Sequence, residues 1–273
     1  LQAMDAANHY EAPAQNIVLG HVDGTIAWTL FGRTPARNRK MGRLPSPAWD
    51  SSYAWNGLTE SAASPRIAPG KQESIVTANC LVEGGGEGLQ ADYDTPFRRD
   101  RIFQLLQGHD PWTAESLSSP QTDVKNLYAI HLMESLASIG PDEAHDPRLA
   151  ELEELAKHAW QELRDWDKQD LAIGHAALFW LFERALWDEL FSDEIEKHHL
   201  AVPWTFLQRQ KLLLVLGGNA KYDWIDNVQT PETETMHAVV QAALQQVWEQ
   251  GVKKFGEDTS KWTFGEDLHF LTF

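Results

Sequence analysis

Apolar and polar positions change rhythm near residue 95. Ahead of it, short β-branched and apolar runs are separated by long polar stretches rich in Gly and Pro, as strands joined by loops are. Beyond it, apolar positions recur every three or four residues, the period of helices buried on one face. The clearest strand signal is residues 17–22, then Asp23-Gly24, then residues 25–31. It predicts a hairpin with a two-residue turn, in which both turn positions need φ > 0. Residues 33–72 read as an ordered, wandering connection anchored by Trp49, Tyr53 and Trp55. Residues 73–82 predict a second strand region, closed by Gly84-Gly85-Gly86.

In the second part, Asp110-Pro111, Ser119-Pro120, Asp146-Pro147 and Thr230-Pro231 each set a capping side chain before a Pro. Such pairs predict helix starts, because the missing Pro N–H has no partner in a first turn anyway. Positions 149, 152, 155, 159, 163 and 166 form an amphipathic stripe. Residues 171–191 are apolar nearly all round and predict a central helix. Further helices are expected at about 97–107, 120–138, 204–216 and 232–250. The pattern therefore predicts an α+β chain in segregated order. Residues 1–95 are β-rich, 96–260 form a helical lobe, and 261–273 return toward the sheet.

Composition narrows the function. Apolar residues make up 42% of 273, with twelve Trp and eleven Phe, enough to fill a substantial core. The net charge of −17 repels phosphate, which argues against nucleic acid and anionic membrane surfaces as partners. The single cysteine, Cys80, allows no disulfide within the chain. No apolar run reaches the roughly 18 residues a membrane span needs. His158, His175, His198 and His199 invite a zinc reading, but no HExxH or CxxC spacing accompanies them. The carboxylate runs 151–154 and 193–196 read as solvated helix faces. No P-loop, GxGxxG or GxSxG motif is present.

Eight short segments, in order, carry a family resemblance. They are Ala14-Gln15-Asn16 with Asp23-Gly24 and Trp28; Gly32-Arg33-Thr34-Pro35-Ala36-Arg37; Trp49-Asp50 through Trp55-Asn56-Gly57 and Pro65-Arg66; and Thr77-Ala78-Asn79. Downstream come Pro96-Phe97-Arg98-Arg99-Asp100-Arg101-Ile102, Gln121-Thr122-Asp123, Trp166-Asp167 and Trp262-Thr263-Phe264-Gly265. Together they resemble an internal stretch of the β chain of the penicillin acylase family, amidohydrolases with an N-terminal nucleophile. The resemblance implies an αββα sandwich followed by a helical lobe. It also implies cleavage of an acyl amide through an acyl-enzyme, the amide being a β-lactam side chain, an N-acyl homoserine lactone or similar. An α chain from the same precursor, autocatalytic maturation and periplasmic delivery follow from it as expectations.

In that family the β chain opens with a Ser whose own amine is the base; residue 1 here is Leu. The nucleophile is therefore expected outside this stretch, and the stretch alone is expected to be inactive. The rival reading is a non-catalytic binding or structural module.

Asn79 matches the family's oxyanion-hole Asn, a role that suits a neutral amide donor fixed by a strand. The plainer alternative is an Asn that satisfies a neighbouring backbone group. Arg98 matches the Arg that orients that Asn, its planar fork holding two acceptors at once. The alternative for it is a surface ion pair with Asp94 or Asp100. Arg101 reads as structural. Glu87 lies near one ligand of a structural Ca²⁺ held by several members, with a solvated loop Glu as the other reading. No organic cofactor is implied.

Overall fold

A computed structural model describes residues 2–6, 9–37, 45–59, 64–71, 74–81, 93–107, 111–136, 163, 174–202, 206–218, 223–258 and 261–262. The chain divides into two compact units, 1–108 and 109–273.

The first unit begins with a short helix, α1 (Gln2–Ala6), and is built on a three-stranded antiparallel sheet. Its strands are β1 (Gln15–Gly20), β2 (Ile26–Phe31) and β5 (Arg66–Gly70), in the order β1-β2-β5. In the hairpin Gln15 faces Phe31 and Gly20 faces Ile26. The central strand buries Ala27, Trp28 and Thr29 in succession, so both of its faces are covered. Trp28 is 2% exposed and donates its indole N–H to Asn16 Oδ1 at 3.0 Å across the hairpin. Burial of a side chain that size contributes on the order of 2–3 kcal/mol, provided its one polar atom is satisfied.

The turn differs from the two-residue form expected of Asp-Gly. His21 N–H donates to Thr25 O (2.8 Å) and Gly24 N–H to His21 O (3.0 Å), which leaves a three-residue loop. Only Gly24 needs positive φ (85°). Asp23 instead accepts the Thr25 N–H at 2.8 Å on its carboxylate. The Thr25 hydroxyl and N–H, with His21, hold that carboxyl down at about 2.

The connection 33–72 contains more regular structure than its composition suggests. A second, two-stranded ladder joins β3 (Pro35–Arg37) to β4 (Trp55–Leu58), with Pro35 opposite Leu58 and Arg37 opposite Trp55. The strand β5 closes the connection on the free edge of β2. Gly32 permits the close crossing ahead of β3: its φ is 96°, and a Cβ there would lie 2.8 Å from the Ala14 Cα. Conversely, residues 74–81 form no strand. They run as bends that bury Ala78 and Cys80 while Asn79 between them stays exposed. The helix α2 (Phe97–Leu106), expected to open the helical lobe, belongs to the first unit.

The second unit is helical: α3 (Ser118–Gln121), α4 (Leu127–Leu136), α5 (Gly174–Lys197), α6 (Phe206–Leu216) and α7 (Met236–Phe255). The expected central helix is α5, which buries Leu178, Phe179, Phe182, Leu186 and Leu190 and packs chiefly on α7. Three of the Asp/Ser/Thr-Pro start signals were misleading. Pro111 is not helical, Pro120 is the third residue of a single turn, and Pro231 precedes its helix by five residues. The caps that matter are Asn126, whose side chain accepts the Ala129 N–H at 3.0 Å, and Thr235, which accepts that of Ala238 at 3.2 Å. The fourth signal, Asp146-Pro147, and the stripe 149–166 apart from Leu163 lie outside the described residues.

A buried ion pair joins α5 to α6. Arg209 Nε donates to Glu183 Oε1 at 2.8 Å, and Glu183 is wholly buried. The same guanidinium lies over the rings of Tyr128 (5.1 Å) on α4 and Trp180 (4.8 Å) on α5, binding three helices at one point. Burial, reinforced by the Glu183 charge, pushes the Tyr128 hydroxyl well above its ordinary value.

The run 193–196 is not the solvated face its composition suggested. Asp193 is 6% exposed and accepts the Val228 N–H at 2.7 Å, and Gln229 donates to its carbonyl at 3.3 Å. These bonds fasten the 223–235 segment to the end of α5. Trp262, fully buried, lies against Gly251, Trp248 and Phe255 and donates its indole N–H to Gly256 O at 2.8 Å. Of the expected return of 261–273 toward the sheet, residues 263–273 lie outside the described residues.

Candidate active site

The two residues singled out for catalysis meet. Asn79 sits at φ 61°, in the left-handed region that Asn tolerates better than most residues. This turn lets Ala78 and Cys80 face the interior while the Asn79 amide faces outward. Arg98, second residue of α2, sends its Nη2 back to Asn79 Oδ1 at 2.7 Å and to Ala78 O at 2.9 Å. An Arg nitrogen only donates, so the atom it touches must be the amide oxygen. That fixes the orientation of the Asn79 amide. Its N–H₂ is the free end, and among the described residues it has no acceptor.

Asp94 completes a ring. Its carboxylate Oδ2 accepts Arg98 Nη2 at 3.0 Å, and its own N–H donates to Asn79 O at 2.9 Å. Arg98 therefore pairs with Asp94 and also grips Asn79. Asp100 pairs with Arg99 instead, at 2.7 Å. Arg101 donates to Gln104 on the surface of α2.

Chemically, the arrangement offers a neutral pair of N–H donors on a pinned amide beside a fixed positive charge. Such a pair can stabilise developing negative charge on an oxygen without transferring a proton. The ring of Asn79, Asp94 and Arg98 holds no hydroxyl or thiol that could serve as nucleophile.

Glu87 and His158 lie outside the described residues, as does the His175 side chain. His199 ends α5: at φ 51° it lets Leu200 N–H reach Ile195 O (2.9 Å) and its own N–H reach Glu196 O (3.0 Å). That is the left-handed stop usually given to Gly. Among the described residues no three His, Cys, Asp or Glu side chains gather as a metal would need. Among the described residues no helix is long and apolar enough to cross a membrane.

Asp94 is the residue that sequence reasoning undervalued, naming it only as an ion-pair partner. Its place four residues ahead of Arg98, at the start of a helix, was the available signal.

Comparison with a solved structure shows the fold. A thermostable penicillin G acylase from Alcaligenes faecalis superposes with a TM-score of 0.67 over 96% of this chain and 50% of its own, at 16% identity. The fold is that of an N-terminal-nucleophile hydrolase. The sequence profile of the penicillin amidase family matches residues 1–273, and the chain belongs to that family of amidohydrolases. Acyl-homoserine lactone acylase QuiP of Pseudomonas aeruginosa is 27% identical over 98% of this chain and 33% of its own length. Penicillin acylase 2 proenzyme of a Pseudomonas species is 30% identical over 68% of this chain and 23% of its own. The chain thus spans about a third of the length of the curated relatives it matches most fully.

Proposed function

We propose that this chain is the oxyanion-binding portion of an acylase that hydrolyses an acyl amide through an acyl-enzyme. The one observation that carries the reading is the 2.7 Å bond from Arg98 to Asn79 Oδ1, which leaves the Asn79 N–H₂ turned outward. When a serine hydroxyl encoded outside this stretch attacks the amide carbonyl, the carbonyl oxygen gains negative charge. The Asn79 N–H₂ would donate to it, and Arg98 would hold the donor still. Family membership and the activities for which the relatives are named favour an N-acyl homoserine lactone or a β-lactam side chain as substrate. A proenzyme among the relatives supports an α chain from the same precursor as partner. Periplasmic delivery and a structural Ca²⁺ near Glu87 remain part of the proposal.

The stretch supplies the donor and not the nucleophile, so residues 1–273 alone are inactive. Turnover of a chromogenic acyl amide by the purified stretch would refute that. In the full-length gene product, Asn79→Ala lowers kcat by about 10²–10³ with little change in melting temperature. An unchanged kcat would show that Asn79 has another role.

A further inference from the structure

We propose that Asp94 is a positioning residue for the Asn79 donor, acting through Arg98. This deepens the oxyanion reading of Asn79 and rests on it. The Arg98 side chain is 59% exposed, and a long exposed side chain samples many rotamers unless something holds it. Two of its three acceptors, Ala78 O and Asn79 Oδ1, are uncharged; the third is the Asp94 carboxylate at 3.0 Å. All three are served by one nitrogen, Nη2, which carries only two hydrogens. The placement of the guanidinium is therefore shared, and the one contact that joins two charges, to the Asp94 carboxylate, fixes it most strongly.

Asp94 is itself well held. Its side chain is 18% exposed, its Oδ1 accepts the Thr95 N–H at 2.7 Å, and its own N–H is tied to Asn79 O at 2.9 Å. A closed ring results: Asp94 main chain to Asn79 main chain, Asn79 side chain to Arg98, and Arg98 back to the Asp94 side chain. A residue that binds both the main chain of the donor and the cation gripping its amide sets the direction in which that amide points. A misdirected donor loses transition-state stabilisation more than substrate binding, so the effect falls on kcat.

The test is a double-mutant cycle in the full-length enzyme, with kcat normalised to titrated active sites. Asp94→Asn keeps the main-chain bond and the side-chain size but removes the charge. It is predicted to lower kcat about tenfold with KM changed less than twofold, and to have no further effect once Asn79 is Ala. If Asn79→Ala itself costs nothing, the oxyanion reading falls and this inference with it. If Asn79→Ala is costly and Asp94→Asn is silent, the inference alone is overturned. A tenfold loss that persists in full without Asn79 also overturns it, since Asp94 would then act by another route. Should Asp94→Asn not fold, Asp94→Glu serves, keeping the charge but shifting it by one methylene. Its loss is predicted to be smaller and again absent without Asn79; silence, or persistence without Asn79, overturns the proposal.

Discussion

Asn79, Asp94 and Arg98 illustrate what single positions can and cannot announce. Asn79 and Arg98 were legible because each stands in a short motif, and the structure brings the two within 2.7 Å. The backbone conformation of Asn79 was not legible. A strand was expected, but Asn79 takes a left-handed φ between the buried Ala78 and Cys80, and its carbonyl accepts the N–H of Asp94, which is distant in sequence. Glu194 was misread for a similar reason. In a run of carboxylates it looks solvated, yet its Oε2 is buried without a partner among the described residues. Burial, then hydrogen bonding with Asp193 and repulsion from it, raises the Glu194 carboxyl from 4.5 to about 7. A carboxyl raised on folding favours the folded state while the pH is below the unfolded value. That advantage is lost as pH climbs from about 4.5 through 7. Glu194→Gln is therefore predicted to flatten the melting temperature against pH across that window; an unchanged slope would disprove the assignment.

At the scale of elements, long segments with one dominant rhythm were readable and short ones were not. The helix α5 was foreseen from its apolar run, and α6 and α7 from their periodicity. The strands β3, β4 and β5 were missed, because three to five residues carrying Pro and Gly give too little alternation to detect. The three Pro-based start signals within the described residues failed because a capping side chain is needed at the helix boundary itself. Thr235 supplies it for α7, and Thr230 instead bonds Glu234 at 2.7 Å within the preceding loop. One close packing contact here is testable. A Cβ on Gly251 of α7 would meet the Trp262 ring at 2.0 Å, and Trp262 is fully buried. Ala improves helix propensity by about 1 kcal/mol, but forcing an atom into a packed aromatic contact costs about 1–3 kcal/mol. Gly251→Ala is predicted to lower stability in denaturant unfolding, and a gain would show that Trp262 has room to move aside.

For the whole molecule, segregation of strands from helices and the family were readable from the sequence, whereas the boundary between units was not. Helix α2 has helical periodicity, so rhythm assigned it to the lobe. Its Arg98 is bound to the 78–79 bend, and it belongs with the strands. The catalytic account depends on that grouping, since α2 delivers the cation that fixes the donor.

The most direct test is Asn79→Asp in the full-length enzyme. Asp has the same shape and offers Arg98 an even better acceptor, but it has no N–H to give and places negative charge where the oxyanion forms. The account predicts a folded protein, with unaltered melting temperature, whose kcat falls at least as far as that of Asn79→Ala, by about 10² or more. If Asn79 serves only to anchor Arg98, Asn79→Asp will keep the wild-type kcat, and that result would contradict the account.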